Sequence, residues 1–358
     1  MREKSLVIGH RSFVRRVLVL GMVLGGALAA SWNARSAEEG ATLLNSTPGK
    51  KSRLAWSPSG NALAFLTTAN GETRLMVQDP ETNAPADLGA ASAYAWAPDG
   101  RALAVARTDG VFLRAWPGVE EKRLATGAEP VFTADGKSVV FVRDSAVFIV
   151  PAAGGAEQKL TATTMIDTSL ACSQSGIFVT GNGILWQAAP GQGEKMIRRN
   201  AGMGTAEPGM EYYVDLAASP DGKRLVIVSS GRQDAGGGLT VLILVNADGS
   251  DKKTIGPGLQ PCWLPDGTAI LYSAKGDLFI YDLASGESKA LTAKRAANHA
   301  WPTVAPDGKR LAFTATLTDT TGDGKTDWRD EPSVFSMLVT ALKPQGSTEK
   351  QRSTGMDF

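Results

Sequence analysis

Ser219-Pro220-Asp221-Gly222 is one of seven related tetrapeptides whose spacing decides the fold. The others are Ser57-Pro58-Ser59-Gly60, Ala97-Pro98-Asp99-Gly100, Thr133-Ala134-Asp135-Gly136, Ser173-Gln174-Ser175-Gly176, Leu264-Pro265-Asp266-Gly267 and Ala305-Pro306-Asp307-Gly308. Their terminal glycines are 40, 36, 40, 46, 45 and 41 residues apart. A period near forty belongs to propeller blades or to paired-helix repeats. Local chemistry separates the two. In Pro-Asp-Gly, proline presets φ, aspartate tolerates the bend and glycine accepts a positive φ, so the motif is a turn between strands.

The flanks carry strand periodicity. Three residues beyond each glycine stand Leu63, Leu103, Val139, Val179, Leu225, Ile270 and Leu311. Two further on come Phe65, Val105, Phe141, Gly181, Ile227, Tyr272 and Phe313. That alternation is the two-residue period of a strand. Four residues before the glycines, Trp56, Trp96, Phe132, Cys172, Ala218, Trp263 and Val304 form a further column, read as blade packing. A third strand is expected in each repeat at 74–78, 111–115, 146–150, 184–187, 240–245, 278–282 and 334–339, and a fourth after a short polar turn, as at Lys122–Ala125 and Lys289–Thr292. The fold class is therefore all-β: a seven-bladed propeller of four-stranded antiparallel blades. The last repeat runs out after its third strand, whereas Thr42–Asn45 is an orphan strand ahead of the first. This N-terminal strand is expected to complete blade 7, leaving no open sheet edge.

The recurring Trp-x-Pro-Asp-Gly-Lys/Arg-x-Leu-Ala-Phe pattern, followed by a Tyr-Asp-Leu-x-x-Gly-Glu hairpin and Leu-Thr, resembles the WD40-like (PD40) blades of the TolB propeller family. The resemblance runs through residues 41–343, with repeat 4 degenerate. The small N-terminal α/β domain of TolB has no counterpart. The resemblance implies a protein-interaction role in the cell envelope.

Composition narrows the chemistry. The 358 residues include 37 Lys+Arg, 36 Asp+Glu, two His and two Cys, and the formal charge of +1 points to no nucleic-acid partner. Arg2, Lys4, Arg11, Arg15 and Arg16 precede the uncharged run Val17–Ala30, too short to span a bilayer and of the length of a signal-peptide core. Residues 1–37 are read as signal peptide and linker, with an uncleaved anchor as the alternative, 38–343 as the propeller and 344–358 as a polar tail. The expected location is periplasmic or secreted, and the mature chain is expected to be soluble and monomeric. Cys172 and Cys262 fall in non-adjacent repeats and are expected to remain unbridged.

No Gly-x-Ser-x-Gly, His-Glu-x-x-His or Cys-x-x-Cys occurs, and His299 is the single histidine beyond the leader. It is expected in the loop entering blade 7, near the channel mouth, in a structural role. Three long insertions, Arg198–Tyr213, Ser230–Gly238 and Thr318–Pro332, all fall on the face opposite the Pro-Asp-Gly turns, where a rigid scaffold presents functional loops. The first holds Met203, Met210, Tyr212 and Tyr213, either an adaptable contact surface or inter-blade cover. The third contains Asp319, Thr321, Asp323, Lys325, Asp327 and Asp330 at positions 1, 3, 5, 7, 9 and 12, with Gly324 at 6. This is EF-hand spacing, with Lys325 contributing its carbonyl, and Asp at position 12 makes it resemble the calcium loops of dockerins. A structural Ca2+ is expected there. Taken together, the sequence reads as an exported, non-enzymatic propeller that binds a protein through its long-loop face. Glycan binding at the cell surface and a lyase or lactonase sited in the channel are the alternatives.

Overall fold

The computed structural model describes residues 41–82, 85–162, 168–181, 183–199, 211–231, 239–292, 297–327 and 329–338. Residues 1–40, which include the expected signal peptide, residues 339–358 and the cores of the first two long insertions lie outside the described residues. So do Met203 and Met210.

Among the described residues twenty-eight strands form seven four-stranded sheets. Within every sheet neighbouring strands are antiparallel, and six sheets use four consecutive strands. The expected third strands are present, a residue or two longer at most ends: Glu72–Gln78, Gly110–Ala115, Ala146–Pro151, Ile184–Ala189, Leu239–Asn246, Asp277–Asp282 and Ser333–Leu338. Strands also run into the edges of the first two insertions, since Gly193–Arg199, Glu211–Ala218 and Arg224–Gly231 are all paired.

The tetrapeptide turns close as their chemistry requires. The N–H of Gly60, Gly100, Gly136, Gly222, Gly267 and Gly308 donates to the carbonyl three residues back at 2.8–2.9 Å, with glycine φ between +68° and +74°. Aspartate has a second task. Its Oδ1 accepts the N–H two residues on, at 2.9–3.0 Å, for Asp99, Asp135, Asp221, Asp266 and Asp307. Repeat 4 lacks the aspartate and forms a tighter hairpin in which Ser173 pairs directly with Gly176, yet it is a true blade.

The ring closes as expected. Ala41–Asn45 pairs with Ser333–Leu338 and becomes the outermost strand of blade 7. Its Leu44 is buried among Ala305, Ala312 and Val334 of blade 7 and Leu54, Trp56, Leu63 and Phe65 of blade 1. Adjacent blades are also stitched by the tryptophan column. The indole N–H of Trp56 donates to the carbonyl of Thr303, that of Trp96 to Ala55 and that of Trp263 to Ala217, each in the innermost strand of the preceding blade, at 3.1–3.2 Å. Both cysteines are free thiols.

Candidate functional site

The innermost strands surround a central channel with a cavity of about 670 Å3. Each strand runs toward its turn from the face of the long connections. Five of the seven slip register against the second strand on the way, at Ser52/Ala55, Ala128/Val131, Tyr213/Asp215, Leu259/Cys262 and Ala300/Thr303. In four of them the slip begins seven residues before the turn glycine; in blade 5 it falls one residue earlier, at Val214, and Asp215 stays paired with Val228. The residues seven before the turn glycine in those four blades are left-handed although none is glycine: Arg53 (φ 53°), Glu129 (49°), Gln260 (55°) and Trp301 (52°). A left-handed side-chain-bearing residue costs roughly 1–2 kcal/mol. A bulge re-aims its side chain, and here the strained residues line the channel. Ser169 and Asp215 occupy the same position in blades 4 and 5 and line it too, whereas in blade 2 Ala93 is buried and Tyr94 takes its place.

The ring is polar and internally connected. Arg53 of blade 1 reaches across to Glu129 of blade 3 in a two-pronged ion pair of 2.6 and 3.0 Å, both side chains about two-fifths exposed to the channel (42% and 41%). Burial opposes the charge on Arg53, but the hydrogen bonds and charge of Glu129 outweigh it and raise the guanidinium's pKa. The Tyr94 hydroxyl donates to the Arg53 carbonyl, and burial drives its pKa upward. Gln260 Oε1 accepts the Ser273 hydroxyl at 2.7 Å and the Trp301 N–H at 2.9 Å, which pins two of the left-handed residues. Asp215 accepts its neighbour's N–H, from Leu216, at 2.9 Å and the Ser169 hydroxyl at 3.1 Å. Burial raises its carboxyl pKa, and those two bonds with the charge of Arg53 only partly counter the shift.

The blade-7 loop folds its acidic residues onto its own backbone N–H groups. Asp330 is buried, one oxygen accepting the N–H groups of Thr320 (2.6 Å) and Thr321 (3.0 Å), the other that of Asp327 (2.9 Å). The Asp327 N–H, then those of Thr320 and Thr321, hold its pKa down at about 2. Asp319 accepts the N–H of Gly324 at 2.7 Å and of Gly322 at 2.6 Å, which lowers its pKa as well, and the Thr321 hydroxyl at 3.2 Å. Asp323 caps the Lys325 N–H at 2.9 Å. The Arg329 guanidinium lies 2.9 Å from Asp327 and 3.6 Å from Asp323. Among the described residues no group of three or more His, Cys, Asp or Glu side chains is arranged around a metal position.

His299 lies in a strand, Asn298–Val304, rather than in the loop before it. It is buried, its N–H donates to the Gly276 carbonyl at 2.8 Å, and its ring lies 5.8 Å from that of Phe313, a core position. Tyr213 is likewise buried, in a cluster that joins Ala171, Phe178 and Leu185 of blade 4 to Leu216 and Ile227 of blade 5, which makes it inter-blade packing. The channel ring was the feature that sequence reasoning passed over. Its signal was a column of mixed polar residues inside an otherwise apolar strand, three residues ahead of the tryptophan column.

No protein-family model and no curated protein sequence matches the chain. Solved structures do. An oligogalacturonate lyase in complex with manganese superposes at TM-score 0.59 and 14% identity, over 85% of this chain and 94% of that one. The β-propeller domain of the trilobed protease from Pyrococcus furiosus, described as having an open velcro topology, superposes at 0.56 and 14% identity, over 81% and 96%. TolB from Acinetobacter baumannii aligns at 0.46 and 16% identity, over 67% of this chain and 62% of that one. At identities this low the first two superpositions bear on the fold alone, in agreement with the sheet topology: the chain is a seven-bladed β-propeller, here with a closed ring.

Proposed function

We propose that the protein is an exported, non-enzymatic propeller that binds a protein partner in the periplasm or cell envelope, engaging it with the long-loop face and the mouth of the channel. The observation that carries this reading is the strained polar ring. Four non-glycine residues hold left-handed backbones at one repeat position, and strain of that kind concentrates at ligand-binding sites. The chemistry of the ring favours binding over turnover. Glu129 is committed to Arg53, and His299 is packed into blade 7 away from the cavity lining. The likeness to a manganese-containing lyase keeps a channel-sited lyase as the second reading. The test is affinity capture from an envelope fraction with the mature chain, beside an assay of oligogalacturonate cleavage with added manganese. A defined protein partner is expected. Turnover of the sugar, with no partner recovered, sinks the proposal.

We further propose a structural calcium ion in the loop 319–330. The donor set fits, since Asp319, Thr321, Asp323, Asp327 and Asp330 offer side-chain oxygens and Lys325 a carbonyl. Left-handed glycines at positions 4 and 6, Gly322 (φ 78°) and Gly324 (80°), support the wrap of the loop around Asp319. The ion would take over the neutralising role of Arg329 at Asp323 and Asp327.

A further inference from the structure

The channel wall contains one cation and two acids among its described lining residues: Arg53, Glu129 and Asp215. Arg53 is held by both oxygens of Glu129. Asp215 has no ion-pairing partner among the described residues; its contacts are a hydroxyl and a neighbouring N–H. A carboxylate partly withdrawn from water, to which Arg53, already held by Glu129, supplies only a partial counter-charge, is costly to keep charged. The chain meets the cost in the same ring where it holds left-handed backbones at Glu129, Gln260 and Trp301. The cavity is about 670 Å3, the size of an organic-ligand site and far larger than a bare ion requires. Trp301 is among its lining residues, an aromatic of the kind that neighbours organic cations, with its ring partly buried against the core between blades 7 and 1.

We infer that the central channel binds an organic cation, a primary ammonium or guanidinium group seated on Asp215 beside Trp301. The inference rests on the reading of the channel as a binding site, but not on the partner being a protein. The same chemistry is offered by a lysine or arginine side chain of a partner and by a free polyamine.

Isothermal titration of the mature chain separates the sources, using the capped peptide Gly-Gly-Arg-Gly-Gly, spermidine and, as an anionic control, glutarate. Saturable binding of the peptide alone assigns a partner's side chain, and of spermidine alone a free polyamine. Binding of both supports the shared chemistry. Asp215→Asn keeps an acceptor for Ser169 and removes the charge, so cation affinity should fall about tenfold or more. Asp248→Asn, on an outer hairpin, should leave it unchanged. If Asp215→Asn melts well below the wild type, Trp301→Leu serves as the second variant, with a loss of the same sign. Absence of cation binding, a preference for glutarate, or affinity indifferent to both variants overturns the inference. A protein partner captured equally by wild type and Asp215→Asn, with no binding of peptide or spermidine, would overturn it while leaving the interaction role intact. Cation binding without any captured partner would do the reverse.

Discussion

Closure of the ring can be tested at Leu44. The residue is 4% exposed and sits between blade 7 and blade 1, so truncation opens a void bounded by two sheets with little freedom to collapse. Leu→Ala at such sites costs about 2–5 kcal/mol, and ~3 kcal/mol is a fair central value. Unfolding entropy near 2 cal/mol/K per residue, summed over roughly 300 ordered residues, converts this to a fall of about 5 °C in Tm. The strand also contributes through Asn45, whose amide donates to Gln78 of blade 1 at 3.1 Å, while the Gln78 amide donates to the Leu44 carbonyl. Deleting Ala41–Asn45 should therefore cost more than Leu44→Ala and bare the edge of Ser333–Leu338, which invites edge-to-edge association. Calorimetry and urea unfolding report the stability, hydrogen exchange the protection of Ser333–Leu338, and size-exclusion chromatography the association. Thr42→Ala, on an exposed position of the same strand, is the control. If Leu44→Ala melts with Thr42→Ala, and the deletion leaves exchange at Ser333–Leu338 unchanged, the strand does not close the ring.

For the calcium loop, titration should give saturable heat with Kd in the ~10⁻⁴–10⁻³ M range of extracellular modules. Asp323→Ala should abolish it and Lys325→Ala preserve it; no heat and no melting shift up to ~10 mM would leave the loop to Arg329. Lys51 is buried, donating to the carbonyls of Gly49 and Thr47, and burial lowers its pKa from 10.5 to about 8 despite the charge of Glu331. The unfolded chain then binds the proton more tightly, so the cost of charging Lys51 is fully present below about pH 8 and disappears as pH rises to 10.5. Relative to Lys51→Met, the wild type should gain about 1–3 kcal/mol over that window, allowing for partial solvent access. A stability difference flat across it refutes the shift. Cys172 occupies the tryptophan column in blade 4 and borders a cavity of about 600 Å3 shared with Thr133, Ile149 and Ile177. Cys172→Trp should fill part of it and raise stability by about 1 kcal/mol, read by urea unfolding; a loss of stability would mean that blades 3 and 4 have no room for an indole.

Blade number, strand order and ring closure were legible in the sequence because each rests on local chemistry. A Pro-Asp-Gly turn specifies its own backbone and aspartate caps an N–H two residues away, so seven turns at one period dictate seven hairpins. The orphan strand Thr42–Asn45 followed from counting, since a sheet edge left bare is unfavourable wherever the chain places it. The channel was decided elsewhere. Arg53 and Glu129 are 76 residues apart, and only ring closure brings them within 2.6 Å. A residue seven places before a turn is left-handed in blades 1, 3, 6 and 7 but not at Ala93, Ser169 or Asp215, so the position itself does not compel it. The blade-7 loop makes the same point from the other side. Spacing placed four carboxylates within twelve residues, and only the three-dimensional wrapping shows that Asp330 turns inward to backbone N–H groups and that Arg329 lies between Asp323 and Asp327. Turn and strand chemistry is read along the chain, whereas side chains aimed at a shared centre answer to partners that sequence distance does not reveal.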